Sequence, residues 1–234
     1  IFALLLSACA AGCTTSDPAA LAQNDPFEPT NRAVFNLDVK LDDAVAKPVA
    51  KFYKSALPEP AREGVHNVLT NLNAPVVLAN DVLQGEGTRA GQTAGRFVIN
   101  STIGLAGLID VAGKMGIPGH DEDFGQTLAV WGSNEGSYLV LPLIGPKPPR
   151  DLVGMVVDIG FDPLTYIRFH DDTTFMIVRG GLGVLDDRAA NIDNIEQIER
   201  SSIDFYATTR SLYRQHRNAE IRNGAPDMSA VPDL

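Results

Sequence analysis

The chain has 234 residues, of which 44% are hydrophobic and 21% are charged, and this composition is ordinary for a folded protein with one large domain or two small ones. The formal net charge is −10 at pH 7, and the sequence holds no cluster of Lys and Arg that would neutralise phosphates. Nucleic acid is therefore not expected as a partner, and any attachment to a membrane has to be hydrophobic or covalent.

The N-terminal residues predict a lipid anchor. Residues 1–6 are apolar, and residues 1–8 are typical of the last part of a secretion signal whose basic start is missing. Residues 6–9 read Leu-Ser-Ala-Cys and resemble a bacterial lipobox, in which the Cys, here Cys9, becomes the lipidated first residue of the mature protein. Cys13 is a second and poorer candidate, and a small disulfide between the two thiols is the alternative. Because the rest of the chain has no Cys, it offers neither a disulfide framework nor a thiolate metal site.

Residues 9–23 are predicted to form a flexible tether, because small and polar side chains follow the Cys. About 15 residues reach roughly 50 Å at full extension, so the domain that follows stays at the membrane surface. The residue after either candidate Cys, Ala10 or Thr14, is not Asp. By analogy with bacterial lipoprotein sorting, this favours the outer membrane.

Short helices separated by Pro and Gly are predicted between residues 24 and 96. Acidic residues precede Pro26 and Pro29, and they suit the start of a helix because they lie at the positive end of its dipole. Apolar residues then recur at helical spacing up to Pro75, which is predicted to break the helix. The predicted segments are 24–43, 48–54, 61–72, 76–84 and 88–96, with a glycine turn at 85–87.

The stretch from Arg96 to Met115 is mostly apolar, but it also contains polar residues and two glycines at its middle, Gly104 and Gly107. A helix that crosses a bilayer needs roughly 20 apolar residues, and each Gly weakens a helix by about 1 kcal/mol relative to Ala. The stretch is therefore not expected to span a membrane alone. Small residues allow close backbone approach in lipid, so an interfacial helical hairpin is one interpretation and a buried helix pair is the other.

A polar loop is predicted at residues 116–123. His120 stands beside three carboxylates, but their spacing does not match that of an EF-hand loop. We therefore predict a solvated acidic loop and no metal site.

Residues 138–141 are apolar strand formers followed by Pro142, so they predict one small β-hairpin. No alternating pattern long enough for a sheet occurs before residue 135. The predicted fold class is therefore mainly α, with short helices packed as a flattened array and at most a small β-hairpin.

The last third predicts an apolar helix at 151–161, a short element at 173–178 and an amphipathic segment at 186–200. Ser201 and Ser202 are predicted to cap a final helix. Its basic residues lie on or near one face, which by default is solvated: Arg210, Arg214, Arg217 and Arg222. Residues 224–234 are predicted to be a disordered tail.

Catalytic motifs are missing from the sequence. The Ser of residues 132–136 stands one place too early for a nucleophile elbow, and Lys114 does not belong to a Walker A sequence. The four His residues lack metal-ligand spacing. We therefore predict no enzyme activity and no cofactor.

Motif residues occur in ordered blocks along the chain: Asp25, Pro26, Asn31, Arg32, Asn71, Pro75, Arg96, Phe124, Gly125, Gly136, Tyr138, Pro142, Arg150 and Asp151. In this order the blocks resemble the MlaA family, also called VacJ, the outer-membrane lipoproteins of a Gram-negative phospholipid-transport system. A further block at 202–217 looks like the C-terminal helix of the family. The resemblance covers roughly residues 24–223, which are therefore predicted to form a single domain.

The resemblance implies a ring-like helical protein in the periplasmic leaflet of the outer membrane. Members of the family hold an amphipathic channel through which phospholipids misplaced in the outer leaflet pass to a soluble periplasmic lipid carrier, and they associate with trimeric porins. In such a family, the basic helix with Arg210, Arg214 and Arg217 is a candidate docking surface for the carrier. Trp131 and Tyr138 are candidates for an interfacial aromatic belt, with ordinary core positions as the alternative.

A lipid path needs polar groups beside apolar walls, because a zwitterionic headgroup is costly to bury unpaired. We predict that part of this path or its gate is formed by six residues of the central stretch, and the alternative is that they are helix caps and turns. They are Asn100, Ser101, Thr102, Gly104, Gly107 and Asp110. The alternative function is a structural lipoprotein that tethers a porin or envelope complex and lacks an exposed apolar patch.

Overall fold

The computed structural model describes residues 14–168 and 170–225. Within these residues the chain is mainly helical, with one two-stranded antiparallel sheet. The predicted lipidation sites Cys9 and Cys13, and residues 226–234 of the predicted tail, lie outside the described residues.

The helices follow one another with short connections. They are α1 (Pro18–Ala22), α2 (Glu28–Leu41), α3 (Lys47–Ala56), α4 (Glu59–Gln84), α5 (Gly87–Thr102), α6 (Val111–Lys114), α7 (Phe124–Val130), α8 (Pro149–Phe161), α9 (Asp172–Ala190), α10 (Ile192–Ser201) and α11 (Phe205–Ile221). A π-helical turn, Asp42–Ala46, joins α2 to α3, and a 3₁₀ turn, Pro163–Thr165, follows α8. The strands β1 (Val140–Leu141) and β2 (Gly145–Pro146) pair in register Val140 to Pro146. The predicted class, mainly α with one small β-hairpin, is confirmed.

Helix α1 lies where a flexible tether was expected. The Asp17 carboxylate caps this helix by accepting the Ala19 N–H, and Ala20 is buried. The Thr15 N–H donates to the Pro26 carbonyl at 2.8 Å. The tether prediction is therefore wrong for the part of residues 9–23 that the structure describes, because these residues find caps and packing partners in the domain.

Helix α4 continues through Pro75, so the predicted break is wrong. Proline removes one helical hydrogen bond and costs about 3 kcal/mol in an isolated helix. The long helix nevertheless forms because α5 packs along it, and the Asn71 amide donates to the Ser101 hydroxyl at 2.9 Å. The helix ends at Gly85 in the left-handed conformation, which confirms the predicted glycine turn.

The central stretch is the end of α5, a tight turn and the single turn of α6. The turn has positive φ angles at Leu105, Ala106 and Gly107. The helical hairpin of this region is formed by α4 and α5, so it begins earlier in the chain than expected. No helix within the described part of the chain is both long and apolar enough to cross a membrane.

The final helix, α11, is tied to the N-terminal segment and to α7 and α8 by buried ion pairs. Its N-cap is Asp204, rather than Ser201 or Ser202. Its guanidinium and phenol groups meet carboxylates far away in the chain. We call this set the terminal ion network: Asp25, Asp123, Asp151, Tyr206, Arg210, Tyr213 and Arg217.

Candidate functional site: polar cavities beneath an apolar surface

Three neighbouring cavities follow one side of α4, and we call them the polar cavity row. The first cavity has about 50 Å³, the middle cavity about 480 Å³ and the third about 250 Å³. Arg96 and His120 line both the first and the middle cavity, while Asn73 lines both the middle and the third. The shared residues place the three cavities side by side beneath the helices.

Asn100 and Asp110, two of the predicted lipid-path residues, line the first cavity. The Asn100 amide donates to Asp110 Oδ1 at 2.9 Å, and its oxygen accepts the Ala112 N–H at 3.0 Å. Burial raises the pKa of Asp110, but the Gly113 N–H, Arg96 and Asn100 outweigh it and hold that pKa below the usual value. Both residues therefore cap or brace the turn, as the alternative interpretation has it, and their role in a lipid path stays a prediction.

Ser101 and Thr102 bond elsewhere and do not line the cavity row. The Ser101 hydroxyl accepts from Asn71, and the Thr102 hydroxyl donates to the Val98 carbonyl at 2.7 Å. Gly104 lies so close to the backbone that a Cβ there would meet the Ile109 oxygen at 2.4 Å.

Gly107 has φ +92°, and a Cβ at this position would meet the Asn71 Cβ at 2.7 Å. Gly104 and Gly107 thus allow close approach in a tight turn. This use of glycine matches the turn alternative rather than a flexible gate.

The middle cavity contains the carboxylates of Asp186 and Asp187 from α9 and the imidazole of His66 from α4. The His66 Nδ1 lies 3.0 Å from Asp186 Oδ2, and the Tyr53 hydroxyl donates to Asp186 Oδ1 at 3.1 Å. Burial, with the Asp186 charge beside it, raises the pKa of Asp187. Ligand atoms of the three residues lie within 4.8 Å of one another, so this cluster is where the described residues could hold a metal ion.

The loop before α7 is only partly solvated, so the predicted solvated acidic loop is wrong for His120, Glu122 and Asp123, whereas Asp121 is exposed. The His120 Nε2 lies 2.9 Å from an Asp81 oxygen, and the buried Glu122 binds the Arg89 guanidinium at 2.6 Å and the Gln84 amide at 2.7 Å. Burial raises the pKa of Glu122 in spite of these partners. His120 and Glu122 hold the loop against α4 and α5, and Asp123 is held by Arg217 of α11.

The third cavity is lined by Lys147 and by carboxylates of α7, α8 and their neighbours. Asp158 accepts from the Asn80 amide at 2.9 Å and from the Phe124 N–H at 3.1 Å, and burial raises its pKa. Asp162 forms an ion pair with Arg179 of α9. Over the cavity row as a whole, carboxylates outnumber cations.

The basic helix α11 does not offer the predicted docking surface. Arg210 is 8% exposed and Arg217 is 7% exposed. Arg210 donates to Asp25 at 2.6 Å, and Arg217 binds Asp123 at 2.6 Å and 2.7 Å. The prediction is therefore wrong for these two residues, because both guanidinium groups are buried against carboxylates that lie far away in the sequence.

Arg214 is tied down as well. Its guanidinium donates to the Gln23 carbonyl at 2.6 Å and lies 3.1 Å from a Glu135 oxygen. Its side chain is mostly buried, so it too supports the fold rather than a basic surface patch.

Most of the other motif residues hold the chain segments together. Asn31 binds the Tyr138 carbonyl at 2.9 Å and the Val140 N–H at 3.0 Å, which fixes the β-hairpin on α2. Arg32 holds Asp204 through two hydrogen bonds and lowers its pKa to about 2. Arg150 donates to its neighbour Asp151 at 2.9 Å, and both are buried.

Gly125 and Gly136 allow close contacts. A Cβ at Gly125 would meet both Arg217 Nη2 and Asp151 Oδ1 at 2.6 Å. Gly136 has φ +80° and lies against Pro149. Both residues therefore have a structural reason for lacking a side chain.

The two candidate belt aromatics have different environments. Tyr138 is 1% exposed, and its ring packs edge-on to Tyr206 and Tyr213, so it is a core residue. Trp131 is 56% exposed, and its indole N–H donates to the Leu83 carbonyl at 3.2 Å. Only Trp131 of this pair has the exposed position that an interfacial aromatic needs.

Helices that line the cavity row also expose large apolar side chains. Within residues 14–168 and 170–225, buried polar and charged side chains outnumber buried hydrophobic ones, which is the reverse of an ordinary water-soluble core. Large hydrophobic side chains are exposed on α5, on the turn after it, and on α8 and α9. They include Val98, Ile103, Leu105, Leu108, Met115, Val153, Val156, Ile177, Val178 and Val184. So extensive an exposed apolar surface marks contact with lipid or with another protein.

Sequence reasoning missed the side of the cavity row formed by α9 and by the loop at 119–121. The sequence did contain a signal for this side of the cavity row, namely the adjacent carboxylates Asp186 and Asp187 at the end of an apolar helix pattern. Periodicity did not show that His66, 120 residues away, meets them.

The profile of the MlaA lipoprotein family matches residues 23–220. The chain belongs to the MlaA lipoprotein family. The motif resemblance is therefore confirmed.

Relatives extend over the same region. The Haemophilus influenzae protein named intermembrane phospholipid transport system lipoprotein MlaA is 33% identical over 243 residues, with 100% of this chain and 95% of the relative covered. The Escherichia coli protein of the same name is 31% identical over 234 residues, with 95% and 90% covered. An uncharacterised protein of Rickettsia felis is 33% identical over 199 residues, with 85% and 78% covered.

A solved structure, described as the structural basis for maintenance of bacterial outer membrane lipid asymmetry, has the same fold. It is 30% identical in sequence with a TM-score of 0.76, and the match covers 84% of this chain and 98% of the other. The MlaA-like helical fold expected from the motifs is thereby confirmed.

Proposed function

We propose that this chain is an outer-membrane lipoprotein that removes misplaced phospholipids from the outer leaflet and passes them to a soluble periplasmic lipid carrier. Membership of the MlaA family and relatives named for phospholipid transport support this function. The observation that carries it is the polar cavity row beneath an exposed apolar surface. A protein that moves phospholipids needs both environments at once.

The proposed mechanism involves no covalent chemistry. A phospholipid crosses a bilayer slowly because its charged headgroup must leave water, and burying unpaired charge is far more costly than burying a hydrocarbon chain. The cavity row offers hydrogen-bond donors at Arg96 and Lys147, and acceptors at its carboxylates, to both charges of a zwitterionic headgroup. The acyl chains remain against apolar surface throughout.

We further propose a position in the periplasmic leaflet of the outer membrane. Lipidation of Cys9, or alternatively Cys13, would anchor the chain there. The exposed side chains of α5 and of the turn after it, such as Val98, Ile103 and Leu105, would enter the hydrocarbon. Trp131 would lie at the interface.

Association with a trimeric porin remains part of this proposal. The carrier has to meet a surface other than the buried guanidinium groups of α11. The predicted lipid-path residues Asn100 and Asp110 stay candidates within the first cavity, where they also brace the fold.

The experiment that tests this function uses a deletion of the gene in its host. Phospholipid exposed in the outer leaflet is measured after deletion and after return of the wild type, of a variant with both Cys replaced by Ala, and of Asn73→Leu. Asn73 lines the middle and third cavities without a side-chain hydrogen bond among the described residues, so its replacement changes the path and spares the fold. Asn194→Leu, at an exposed position of α10, is the matched control.

We expect phospholipid in the outer leaflet to rise on deletion and to be cleared by the wild type and by Asn194→Leu. Clearance should fail without the two Cys residues and should be impaired by Asn73→Leu. Unchanged outer-leaflet phospholipid on deletion would contradict the proposal and favour a lipoprotein that only tethers a porin or envelope complex.

A further inference from the structure

A second lipophilic site lies away from the polar cavity row, between α2, α10 and α11. It is a groove of about 510 Å³, within the range of roughly 300–1,000 Å³ that is usual for ligand pockets. None of the residues that line it lines the cavity row. We call it the α2/α10/α11 groove, and its apolar walls are Phe35, Val39, Ile195, Ile198, Phe205 and Leu212.

Two polar atoms on side chains lining this groove have no partner among the described residues. Arg188 binds Asp42 through Nε and Nη2, both at 2.7 Å, but its Nη1 is buried and makes no hydrogen bond. Asp38 accepts the Leu143 N–H with Oδ1 at 2.9 Å, while its buried Oδ2 has no partner. A buried donor or acceptor without a partner is unfavourable, so each atom calls for a ligand group that completes it.

The chemistry of the groove specifies an amphiphile. The walls fit a hydrocarbon chain, the free Nη1–H of Arg188 needs an acceptor such as phosphate, and the free Oδ2 of Asp38 needs a donor such as ammonium. A purely anionic lipid fits less well, because Asp38, Asp43 and Glu199 also line the groove. Two further groups that line the groove already have partners. The Asp43 carboxylate lies 3.2 Å from Lys47 Nζ, and His216 Nε2 lies 3.1 Å from a Glu220 carboxylate oxygen.

We propose that the α2/α10/α11 groove binds one acyl chain of a zwitterionic phospholipid, with the phosphate at Arg188 and the ammonium at Asp38. The choice of a phospholipid rests on the proposed function. The groove is then a second lipid-binding site, separate from the cavity row, in which a phospholipid can be held. A peptide of a partner protein is the competing occupant.

The test uses the purified full chain in detergent and phosphatidylethanolamine with a photoactivatable diazirine near the end of one acyl chain. After illumination, mass spectrometry locates the labelled peptides. We expect adducts on α10 and α11 around Ile195, Ile198 and Leu212. Ile198→Trp fills the groove and should lower these adducts at least tenfold, while Val156→Trp, on the exposed surface of α8, should leave them unchanged.

The headgroup assignment is tested with the same probe and an anionic phosphatidylglycerol counterpart. The wild type should be labelled several-fold more strongly by the zwitterionic probe. Asp38→Asn keeps the acceptor for the Leu143 N–H and removes the charge, so it should abolish this preference. Leu212→Trp, at a more exposed wall position, replaces Ile198→Trp if the latter does not fold.

Adducts spread evenly over all exposed apolar helices, and unchanged by Ile198→Trp or Leu212→Trp, would overturn the proposal. So would a groove that stays unlabelled by lipid but cross-links to a peptide of the carrier. Because these experiments use pure protein and the outer-leaflet assay uses cells, failure of the groove and failure of the transport function are seen separately.

Discussion

The terminal ion network and the middle cavity both bring carboxylates close together, but they satisfy those charges in opposite ways. In the network, Arg217 binds the carboxylates of Asp123 and Asp151, and the Tyr213 hydroxyl completes Asp151 at 2.6 Å. These partners hold the pKa values of both carboxylates below the usual range in spite of burial. The charges of this network are matched within the fold and hold the chain segments together, although Asp123 and Asp151 also line the third cavity.

The middle cavity shows the other arrangement. Asp186 and Asp187 are adjacent, the His66 imidazole and the Tyr53 hydroxyl lie within hydrogen-bonding distance of Asp186, and open volume lies beside them. The pKa of Asp187 is raised rather than lowered. The difference shows that buried charge by itself does not identify a functional site, whereas incompletely paired charge beside a cavity does.

The largest effect is expected from removing the cation of the network. Arg217→Ala leaves Asp123 without its guanidinium partner and leaves Asp151 with Arg150 and Tyr213, and breaking a buried ion pair in this way costs about 3–5 kcal/mol. Denaturant unfolding of the purified chain measures the loss. Arg200→Ala is the control, because this side chain is 77% exposed and its pair with Glu196 should contribute within about 0.5 kcal/mol. Equal losses of unfolding free energy in the two variants would show that the buried ion pairs of the network contribute no more than an exposed pair.

A smaller loss is expected at the turn beside the first cavity. Gly107→Ala forces an L residue into φ +92° and places a Cβ against Asn71, so it should destabilise the chain by about 1–3 kcal/mol. Gly95→Ala, within α5 and with open space around it, should stabilise by about 0.5–1 kcal/mol. Opposite signs in thermal unfolding would support a rigid turn, whereas a neutral Gly107→Ala would favour the flexible gate.

The smallest effects are those of pH, and they sharpen the contrast between raised and lowered pKa values. Burial and the neighbouring Asp186 charge raise the folded pKa of Asp187 above the ordinary value of 3.8, so its charge opposes folding at pH 7. Asp187→Asn should therefore stabilise slightly at pH 7, and this gain should shrink as the pH falls towards 3.8. Thermal unfolding as a function of pH provides the measurement.

Asp204→Asn is the counterpart with the opposite sign. The Arg32 guanidinium lowers the pKa of Asp204 to about 2, so its charge stabilises the fold above pH 3.8. The variant should be less stable than the wild type at pH 7, and the difference should disappear as the pH falls from 3.8 to 2. A difference that persists below pH 2 would show that the carboxylate acts through its cap on α11 rather than through its charge.

Helical periodicity and turn residues predicted the class of the fold, the β-hairpin and the glycine turn before α5. They failed at Pro75, because the stability of α4 comes from α5 packed along it and not from local propensity. They failed at the loop of Glu122 and Asp123 and at Arg217 for a shared reason. The partner of each charge is far away in sequence, 94 residues in the case of Asp123 and Arg217, and no local pattern encodes such a contact.

The candidate site was predicted in part. Asn100 and Asp110 were found as polar residues in an apolar stretch, and they line the first cavity. The α9 wall of the middle cavity was missed, because amphipathic periodicity shows that a helix has two sides but not which side meets lipid and which meets a cavity. The exposed valines and isoleucines of α8 and α9 have the same pattern as core residues.

The pairing of Asp25 with Arg210 has a consequence for the order in which the chain folds. The two residues are 185 positions apart, so the Asp25 carboxylate finds this cation only after almost the whole chain has been made. Contacts this distant form late, since a long loop must be ordered before they contribute. This buried pair is therefore completed only when the last helix docks, so the N-terminal segment remains unpaired until the chain is nearly complete.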